Sequence, residues 1–352
     1  MSGPAGQAPP GDRVVVEAVD YHTAGEPFRI VTAGLPPVPG DSVAERRAVA
    51  IGAGGSATSP RPSALDRIRQ LLSREPRGHA GMYGGFLVPP DDDGAQLGVL
   101  FWHKDGYSTA CGHGTMALAA WAVDCGLVGA PEDGTARVRI DVPSGRVTAA
   151  VHRSGGRTTA VAFRNVPARI GARRLPVATS RGRVAVDLVH AGACYASVRA
   201  ADLGIDVGTE QLPELTAAGR EIRAALAGEP AARHLADPRL SGVYGVILYQ
   251  ELPDGPSGPS QRSVTVFADG QVDRSPCGSG SSARLALLAA DGLLAPGEEL
   301  RHESVIGTVF TGRLLGAHPD GVLTEITGAT HRTGEHRFLL DGDDPLGTGF
   351  LL

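Results

Sequence analysis

Two cysteines of the chain stand at the start of matching sequence runs. Cys111 opens CGHGTMALAAWAVDCGLV, and Cys277 opens CGSGSSARLALLAADGLL. Both runs begin Cys-Gly-x-Gly, continue through largely apolar, alanine-rich residues, and close with Gly-Leu at the same distance from the cysteine. A thiol can donate a proton and its thiolate can accept one. Two thiols in equivalent positions therefore suggest a reaction that needs an acid and a base of the same kind.

Each copy of the run also predicts a short structural unit around its cysteine. Phe101 and Phe267 stand at the same distance before the two cysteines, in segments 98–103 and 263–268 that favour strands. The alanine-rich runs predict helices, and the Gly-Leu pairs predict their ends. Because the unit strand, turn, helix, glycine occurs twice, we expect two similar domains related by a pseudo-twofold axis.

The start of each predicted helix favours anion binding. Thr109 and Ser275 lie two residues before the cysteines and suit an N-cap, and Pro276 suits the first helical position. The cysteines would then lie in the first turn, where free N–H groups and the helix dipole attract an anion. The same field is expected to lower the pKa of a thiol.

Two such helix starts facing each other across a cleft would suit inversion of a stereocentre. One carboxylate could be held by both helix N-termini, with one thiol on each side of the ligand. Proton transfer with inversion needs a base on one face of the carbon and an acid on the other. The helix dipoles would stabilise the negative charge that develops on the carboxylate. We therefore expect reversible, cofactor-free inversion at a carbon beside a carboxylate.

The rest of the chain predicts mixed α/β structure. Residues 1–12 are rich in Gly and Pro and predict a disordered tail. Residues 40–62, which contain GAGGSATSPRP, predict a loop. The further predicted elements are a strand at 13–20, a helix at 63–73, a β-meander at 136–163, a helix at 213–227, a strand at 242–249 and a strand-rich region at 300–352.

Composition excludes several classes of function. The chain has 352 residues, of which 42% are hydrophobic, and a net charge of −5 without a basic stripe. Two globular domains are expected, and neither nucleic acid nor membrane is an expected partner. Lys104 is the sole lysine, which argues against a pyridoxal phosphate Schiff base. The N-terminal residues lack the apolar segment of a secretory signal, so a cytoplasmic location is expected.

Seven stretches of the sequence resemble the proline racemase family. That family contains proline racemase, 4-hydroxyproline 2-epimerase and trans-3-hydroxy-L-proline dehydratase. The resemblance implies a fold similar to diaminopimelate epimerase: two α/β domains, each a mixed sheet around a central helix. It also implies catalysis without cofactor, a proline-type amino acid as substrate, and a homodimer. The stretches are HTAGEP (22–27), EPRGH (75–79), GYSTACGHG (106–114), NVP (165–167), VDRSPCGSG (272–280), ESVIGTVF (303–310) and DPLGTGF (344–350).

The resemblance also implies a role for particular residues and a division into domains. The first domain would comprise 13–178 plus 331–352 and carry Cys111, and the second would comprise 179–330 and carry Cys277. The two cysteines would be the acid and base. His113 and Asp273 would hold the ring nitrogen of the substrate. The carboxylate would be bound by the backbone N–H groups of Gly112, His113, Gly278 and Ser279.

Racemisation is not the sole chemistry that fits these residues. GYSTxCGH, the MYG of 82–84 and the YGVIL of 244–248 resemble the dehydratase branch of the family, but dehydratases usually carry threonine at the position of Cys277. Ala110 also stands where methionine is usual. Because a second thiol is needed for inversion and not for elimination, we expect a racemase or epimerase of proline or hydroxyproline. A dehydratase of trans-3-hydroxy-L-proline is the alternative.

Two other readings explain the residues less well. A thiol hydrolase using Cys111 and a histidine base would leave Cys277 unexplained. A metal site formed by Cys111, His113 and Cys277 would be one ligand short of the usual four. No metal is therefore expected.

Overall fold

The computed structural model describes residues 14–52 and 63–352. The described residues form eighteen strands, five α-helices and four 3₁₀-helices. The strands are β1 (Val14–Thr23), β2 (Glu26–Ala33), β3 (Tyr83–Val88), β4 (Leu97–His103), β5 (Gly106–Tyr107), β6 (Gly134–Val142), β7 (Gly145–Ser154), β8 (Arg157–Arg164), β9 (Arg169–Thr179), β10 (Gly182–His190), β11 (Cys194–Arg199), β12 (Val243–Gly255), β13 (Gly258–Phe267), β14 (Gln271–Asp273), β15 (Glu299–Ser304), β16 (Val309–His318), β17 (Gly321–Gly328) and β18 (Thr330–Leu340). The α-helices are α1 (Val43–Ala50), α2 (Ala64–Ser73), α3 (Gly112–Asp124), α4 (Leu212–Ala225) and α5 (Gly278–Ala290), and the 3₁₀-helices are Ala200–Leu203, Thr209–Gln211, Pro230–Ala232 and Pro238–Leu240.

Strand pairing divides the sheet into two halves of the same design. In the first half the spatial order is β18, β1, β2, β3, β4, β6, β7, β8. In the second half it is β9, β10, β11, β12, β13, β15, β16, β17. The parallel pairs occupy the same places, β2 with β3 and β4 with β6 in one half, β11 with β12 and β13 with β15 in the other. The fold is therefore mixed α/β and duplicated, as predicted.

The parallel pairs explain where the helices lie. Parallel neighbours need a crossover connection, and helices commonly form it. The chain passes through α3 between β4 and β6, and through α5 between β13 and β15. The other two crossovers contain α1 and α2 in the first half and α4 in the second. The duplicated cysteine runs are thus the inner crossovers of the two halves.

The two inner helices are buried almost throughout. In α3 every residue from Gly112 to Ala120 is buried, and in α5 every residue from Gly278 to Leu288 is buried. Helix α3 contacts strands β1, β2, β6, β7, β8 and β18, while α5 contacts β9, β10, β11, β16 and β17. A helix that is apolar on all sides can be stable only inside a core. Each half of the sheet therefore wraps around its own central helix.

Most of the predicted elements are confirmed, with α1 as the main omission. The predicted strand at 13–20, helix at 63–73, meander at 136–163 and helix at 213–227 correspond to β1, α2, β6 to β8 and α4. The predicted loop at 40–62 is wrong over Val43–Ala50, where Ser42 caps a helix by accepting a bond from the N–H of Glu45. The predicted tail and the rest of that loop, 53–62, lie outside the described residues.

The predicted domain boundaries remain a proposal. The chain was expected to divide into 13–178 plus 331–352 and 179–330. Strand β9 pairs with β10 along most of its length. Residues 169–178 therefore lie beside the second half of the sheet, and a boundary after β8 follows the strand pairing better.

Candidate functional site

The N-termini of α3 and α5 meet at their backbones. A Cβ atom added at Gly112 would lie 2.6 Å from Cα of Gly278, and one added at Gly278 would lie 2.8 Å from Cα of Gly112. Side chains larger than hydrogen therefore do not fit between the two helix ends. The pair of glycines lets two helix dipoles, each equivalent to about half a positive charge, act on one small volume.

Both cysteines lie at this meeting point, but not where their helices were predicted to begin. Cys111 and Cys277 are themselves the N-caps. Their Sγ atoms accept bonds from the N–H of Gly114 (3.2 Å) and of Gly280 (3.4 Å). The predicted N-caps Thr109 and Ser275 are therefore wrong, because each thiol takes the position that a hydroxyl usually fills.

The hydroxyls of Thr109 and Ser275 do not bond to the first N–H groups of a helix but to other groups. The hydroxyl of Thr109 donates to the carbonyl of Gly192 (2.8 Å). The hydroxyl of Ser275 binds Asp273 and accepts from the N–H of Cys277. Pro276 precedes the N-cap rather than opening the helix. Cys277 also has φ of +64°, in the left-handed region that non-glycine residues rarely adopt. Backbone strain of this kind is most often found at functional sites.

The expected lowering of the thiol pKa is wrong. Burial raises the pKa of Cys111 well above its ordinary value, and the bond from the N–H of Gly114 offsets this partly. Burial likewise raises the pKa of Cys277, with the negative charge of Asp273 as a further cause. A buried thiolate loses hydration that the helix ends do not fully replace. Both thiols are therefore protonated at neutral pH.

His113 and Asp273 lie together on one side of the thiols. The Nδ1 atom of His113 is 3.9 Å from Oδ2 of Asp273, and its ring nitrogens are 3.5 Å from Sγ of Cys111. Burial lowers the pKa of His113 to about 3, so its imidazole is neutral. Burial raises the pKa of Asp273 to about 6, although its bonds from Ser275 act in the opposite direction. A neutral acceptor and an anion near its titration point suit a secondary ammonium ligand.

The other predicted binding residues also lie at the helix N-termini. Gly112, His113, Gly278 and Ser279 belong to the first turns of α3 and α5, whose N–H groups have no partner within a helix. Ser279 is completely buried, and its hydroxyl has no hydrogen-bond partner. Buried polar atoms are normally bonded. An unpartnered hydroxyl beside the free N–H groups is therefore consistent with a site for a polar ligand.

Five further residues reach the site without having been selected from the sequence. Glu26 is fully buried, its Oε1 has no partner, and burial followed by the charge of Asp273 raises its pKa well above the usual value. The hydroxyl of Tyr195 lies 3.9 Å from Sγ of Cys277. The hydroxyls of Tyr83, Ser108 and Tyr244 form a hydrogen-bonded cluster. Glu26, Ser108, Tyr83 and Tyr244 lie within stretches that resemble the family, and this resemblance could have pointed to them. Tyr195 lies outside those stretches.

None of the helices in the described ranges is long and apolar enough to cross a membrane. Within residues 14–52 and 63–352, no three His, Cys, Asp or Glu side chains are grouped as metal ligands. All four cysteines of the chain are free thiols.

Comparison with known proteins identifies the class to which this duplicated fold and its paired helix starts belong. The family model for proline racemase matches residues 18–351, and the chain belongs to that family of enzymes. Trans-3-hydroxy-L-proline dehydratase of Azospirillum brasilense is 41% identical over 342 residues, covering 96% of this chain and 98% of the relative. The 3-hydroxyproline 2-epimerase of Burkholderia multivorans is 40% identical over 343 residues, with the same coverage.

A solved structure gives the same fold. The hydroxyproline epimerase of Agrobacterium vitis, with bound trans-4-hydroxy-L-proline, has a TM-score of 0.88 and 30% sequence identity to this chain. The match covers 96% of this chain and 95% of that one. The predicted family and the predicted fold class are therefore confirmed.

Proposed function

We propose that this enzyme inverts Cα of proline or hydroxyproline, with Cys111 and Cys277 as the two proton carriers. The observation that supports this most directly is the pair of free, buried thiols that cap two helices whose N-termini meet. Elimination requires one base, whereas inversion requires a proton carrier on each face of the carbon. A second thiol in an equivalent position supplies the proton carrier that inversion needs on the opposite face.

The charges of the ligand would complete the site. The carboxylate would accept from the N–H groups of Gly112, His113, Gly278 and Ser279, where the dipoles of both helices act on it. The ring ammonium would lie against Asp273, with the neutral imidazole of His113 beside it. In support, the related epimerase from Agrobacterium vitis binds trans-4-hydroxy-L-proline.

The proton transfers then follow from the state of the thiols. In the reacting complex one thiol has released its proton to solvent; its thiolate takes the Cα proton, and the other cysteine donates its thiol proton to the opposite face. Burial, which raises the pKa of both thiols, makes the thiolate a stronger base once it has formed. The charge that moves onto the carboxylate in the transition state is stabilised by the two helix ends. Exchanging the roles of the thiols runs the reaction in the other direction.

Dehydration of trans-3-hydroxy-L-proline is the second candidate function. Relatives at 41% and 40% identity are named trans-3-hydroxy-L-proline dehydratase and 3-hydroxyproline 2-epimerase, respectively. Overall similarity therefore does not separate the two reactions. Inversion is preferred because Cys277 supplies the second proton carrier.

One experiment separates the candidates. The protein is incubated in D₂O with L-proline, trans-4-hydroxy-L-proline and trans-3-hydroxy-L-proline, and the products are analysed by NMR and chiral chromatography. Deuterium at Cα with inversion is the expected result. Formation of a pyrroline from the 3-hydroxylated compound without any inversion would establish the dehydratase instead.

Serine substitutions test the two thiols separately. Cys111→Ser and Cys277→Ser should each lower net inversion by at least about a thousandfold, since each removes the proton carrier of one face. Cys125→Ser is the matched control, because that cysteine is exposed and lies at the far end of α3. Near-normal inversion by either of the first two variants would refute the two-thiol mechanism.

Two further proposals concern the whole protein, one from the family resemblance and one from the sequence. Proline racemases typically act as homodimers, and we expect a dimer in sedimentation. A cytoplasmic location is likewise proposed from the sequence.

A further inference from the structure

The hydroxyl groups of Tyr83, Ser108 and Tyr244 meet beside the proposed site. The Tyr83 hydroxyl is bonded to that of Ser108 and lies 3.1 Å from that of Tyr244. Tyr83 and Ser108 are buried, at 2% and 1% exposure. Tyr244 is partly exposed, and with Ser108 it lines a cavity of about 550 Å³. We refer to these three residues as the hydroxyl cluster.

The hydroxyl cluster joins the two halves of the fold at the thiols. Tyr83 begins β3 and Ser108 lies three residues before Cys111, whereas Tyr244 lies near the start of β12 in the second half. The ring of Tyr83 packs edge-on against that of His113, with centroids 5.0 Å apart. Burial raises the pKa of Tyr244 well above its usual value, and negative charge on Cys111 or Cys277 raises it further. The cluster is therefore within electrostatic reach of both thiols.

The hydroxyl cluster has more O–H groups than its internal hydrogen bonds use, so it can bond to a ligand. Three hydroxyls carry three protons and several lone pairs. Two protons suffice for the two contacts within the cluster. The third can bond to the carbonyl of Ala110 at 3.4 Å, which is long for such a bond. If instead Ser108 donates to Tyr83 and Tyr83 donates to Tyr244, the O–H of Tyr244 is not used within the cluster.

A ring hydroxyl of the substrate matches this capacity. An alcohol both donates and accepts hydrogen bonds. It can therefore accept a bond from the spare O–H and donate its own O–H to a lone pair of the cluster. Proline offers only C–H groups there and cannot pair with the spare O–H. The aromatic rings of Tyr195 and Phe267 pack on the ring of Tyr244.

We infer that the hydroxyl cluster binds a hydroxyl on the pyrrolidine ring and so makes hydroxyproline the preferred substrate over proline. This inference rests on the proposed function and adds to it the ring substituent and the residues that recognise it. The mechanism of proton transfer does not use these residues. They act as specificity determinants.

Substrate ratios test this assignment. Specificity constants kcat/KM for Cα exchange in D₂O are measured with L-proline, trans-3-hydroxy-L-proline and trans-4-hydroxy-L-proline. The wild type should favour at least one hydroxyproline over proline by about 10- to 100-fold, the effect of one or two hydrogen bonds. Tyr83→Phe and Tyr244→Phe should each reduce that ratio by about tenfold.

Tyr21→Phe is the matched control. Tyr21 is equally buried and its hydroxyl donates to Asp124 at the far end of α3 (2.7 Å), remote from the thiols. This variant should leave the ratio unchanged. The substrate whose advantage falls most in the cluster variants identifies the ring carbon that carries the bound hydroxyl.

Four results would overturn the inference. Equal loss for all three substrates would mean that the cluster has a structural role. An unchanged ratio in both variants would mean that it does not contact the ring. A wild type that exchanges proline as fast as the hydroxyprolines would refute the inference and leave the proposed function intact, whereas no Cα exchange with any of the three would refute both.

Discussion

Replacing Gly112 or Gly278 by alanine should separate the two helix ends and disable inversion. The added Cβ would lie 2.6 Å or 2.8 Å from a backbone Cα of the facing helix. Ordinary carbon contacts are about 3.5–4.0 Å, so the helix starts would have to move apart by roughly 1 Å. No side-chain rotation can relieve the contact, because the atoms that meet belong to the backbone. The thiols move with the helices that they cap.

A shift of this size is large for a reaction that needs two aligned proton transfers. Misplacement by about 1 Å can cost about 100-fold in rate, which corresponds to a barrier higher by about 2.7 kcal/mol. We therefore expect kcat for inversion to fall by about two orders of magnitude in each variant. The free energy of unfolding should also fall, by about 1–3 kcal/mol, as for other overpacked sites.

The assay is chiral chromatography of the best substrate, with thermal unfolding measured in parallel. Gly129→Ala is the control, since a Cβ there meets no atom within 4 Å and the residue has no left-handed φ. It should retain full activity. If both helix-start variants remain folded and invert the substrate within about threefold of the wild-type rate, the close approach of the helices is not needed for catalysis.

Three further predictions concern charge, thiol reactivity and stability. Because the pKa of Asp273 is about 6 and its anion is the form that binds an ammonium, affinity for the amino acid should fall as the pH drops from 7 to 5. In calorimetric titration, the Asp273→Asn variant should no longer show this pH dependence. Pyrrole-2-carboxylate, a planar analogue without an ammonium, should protect Cys111 and Cys277 from alkylation by iodoacetamide but leave the exposed Cys125 reactive. Alkylation of Cys111 and Cys277 at an unchanged rate would contradict a shared site. Leu118→Ala, at a fully buried position of α3, should lower the free energy of unfolding by about 2–5 kcal/mol, whereas Leu127→Ala, 53% exposed, should change it little.

The sequence contained enough local information to predict the duplicated architecture. The matching runs after Cys111 and Cys277 predicted α3, α5 and their ends, and Gly126 and Gly292 do adopt left-handed φ angles of +75° and +69°. Helix formation and termination depend mainly on neighbouring residues, so composition and spacing report on them. The short helix α1 escaped this reasoning because a Gly- and Ser-rich segment follows it directly.

The chemistry of the site depends on distances that composition does not encode. Local propensity favoured Thr109 and Ser275 as N-caps, but both hydroxyls bind elsewhere and the thiols cap the helices instead. The helix dipole alone predicted a lowered thiol pKa, and burial reverses the direction. Desolvation is the sum over all atoms that pack around a group, most of them remote in sequence.

The resemblance of motifs to a known family identified the candidate residues, and the tertiary structure decided which of them meet. Gly112 and Gly278 come from opposite halves of the chain, and their contact sets the space available to a ligand. Tyr83 and Tyr244, which lie in different halves of the duplicated sheet, share one hydrogen bond beside the thiols. Repetition in a sequence reveals that two units are alike, but the way they pack against each other is a property of the folded chain, because it is determined by surfaces that form only after each unit has folded.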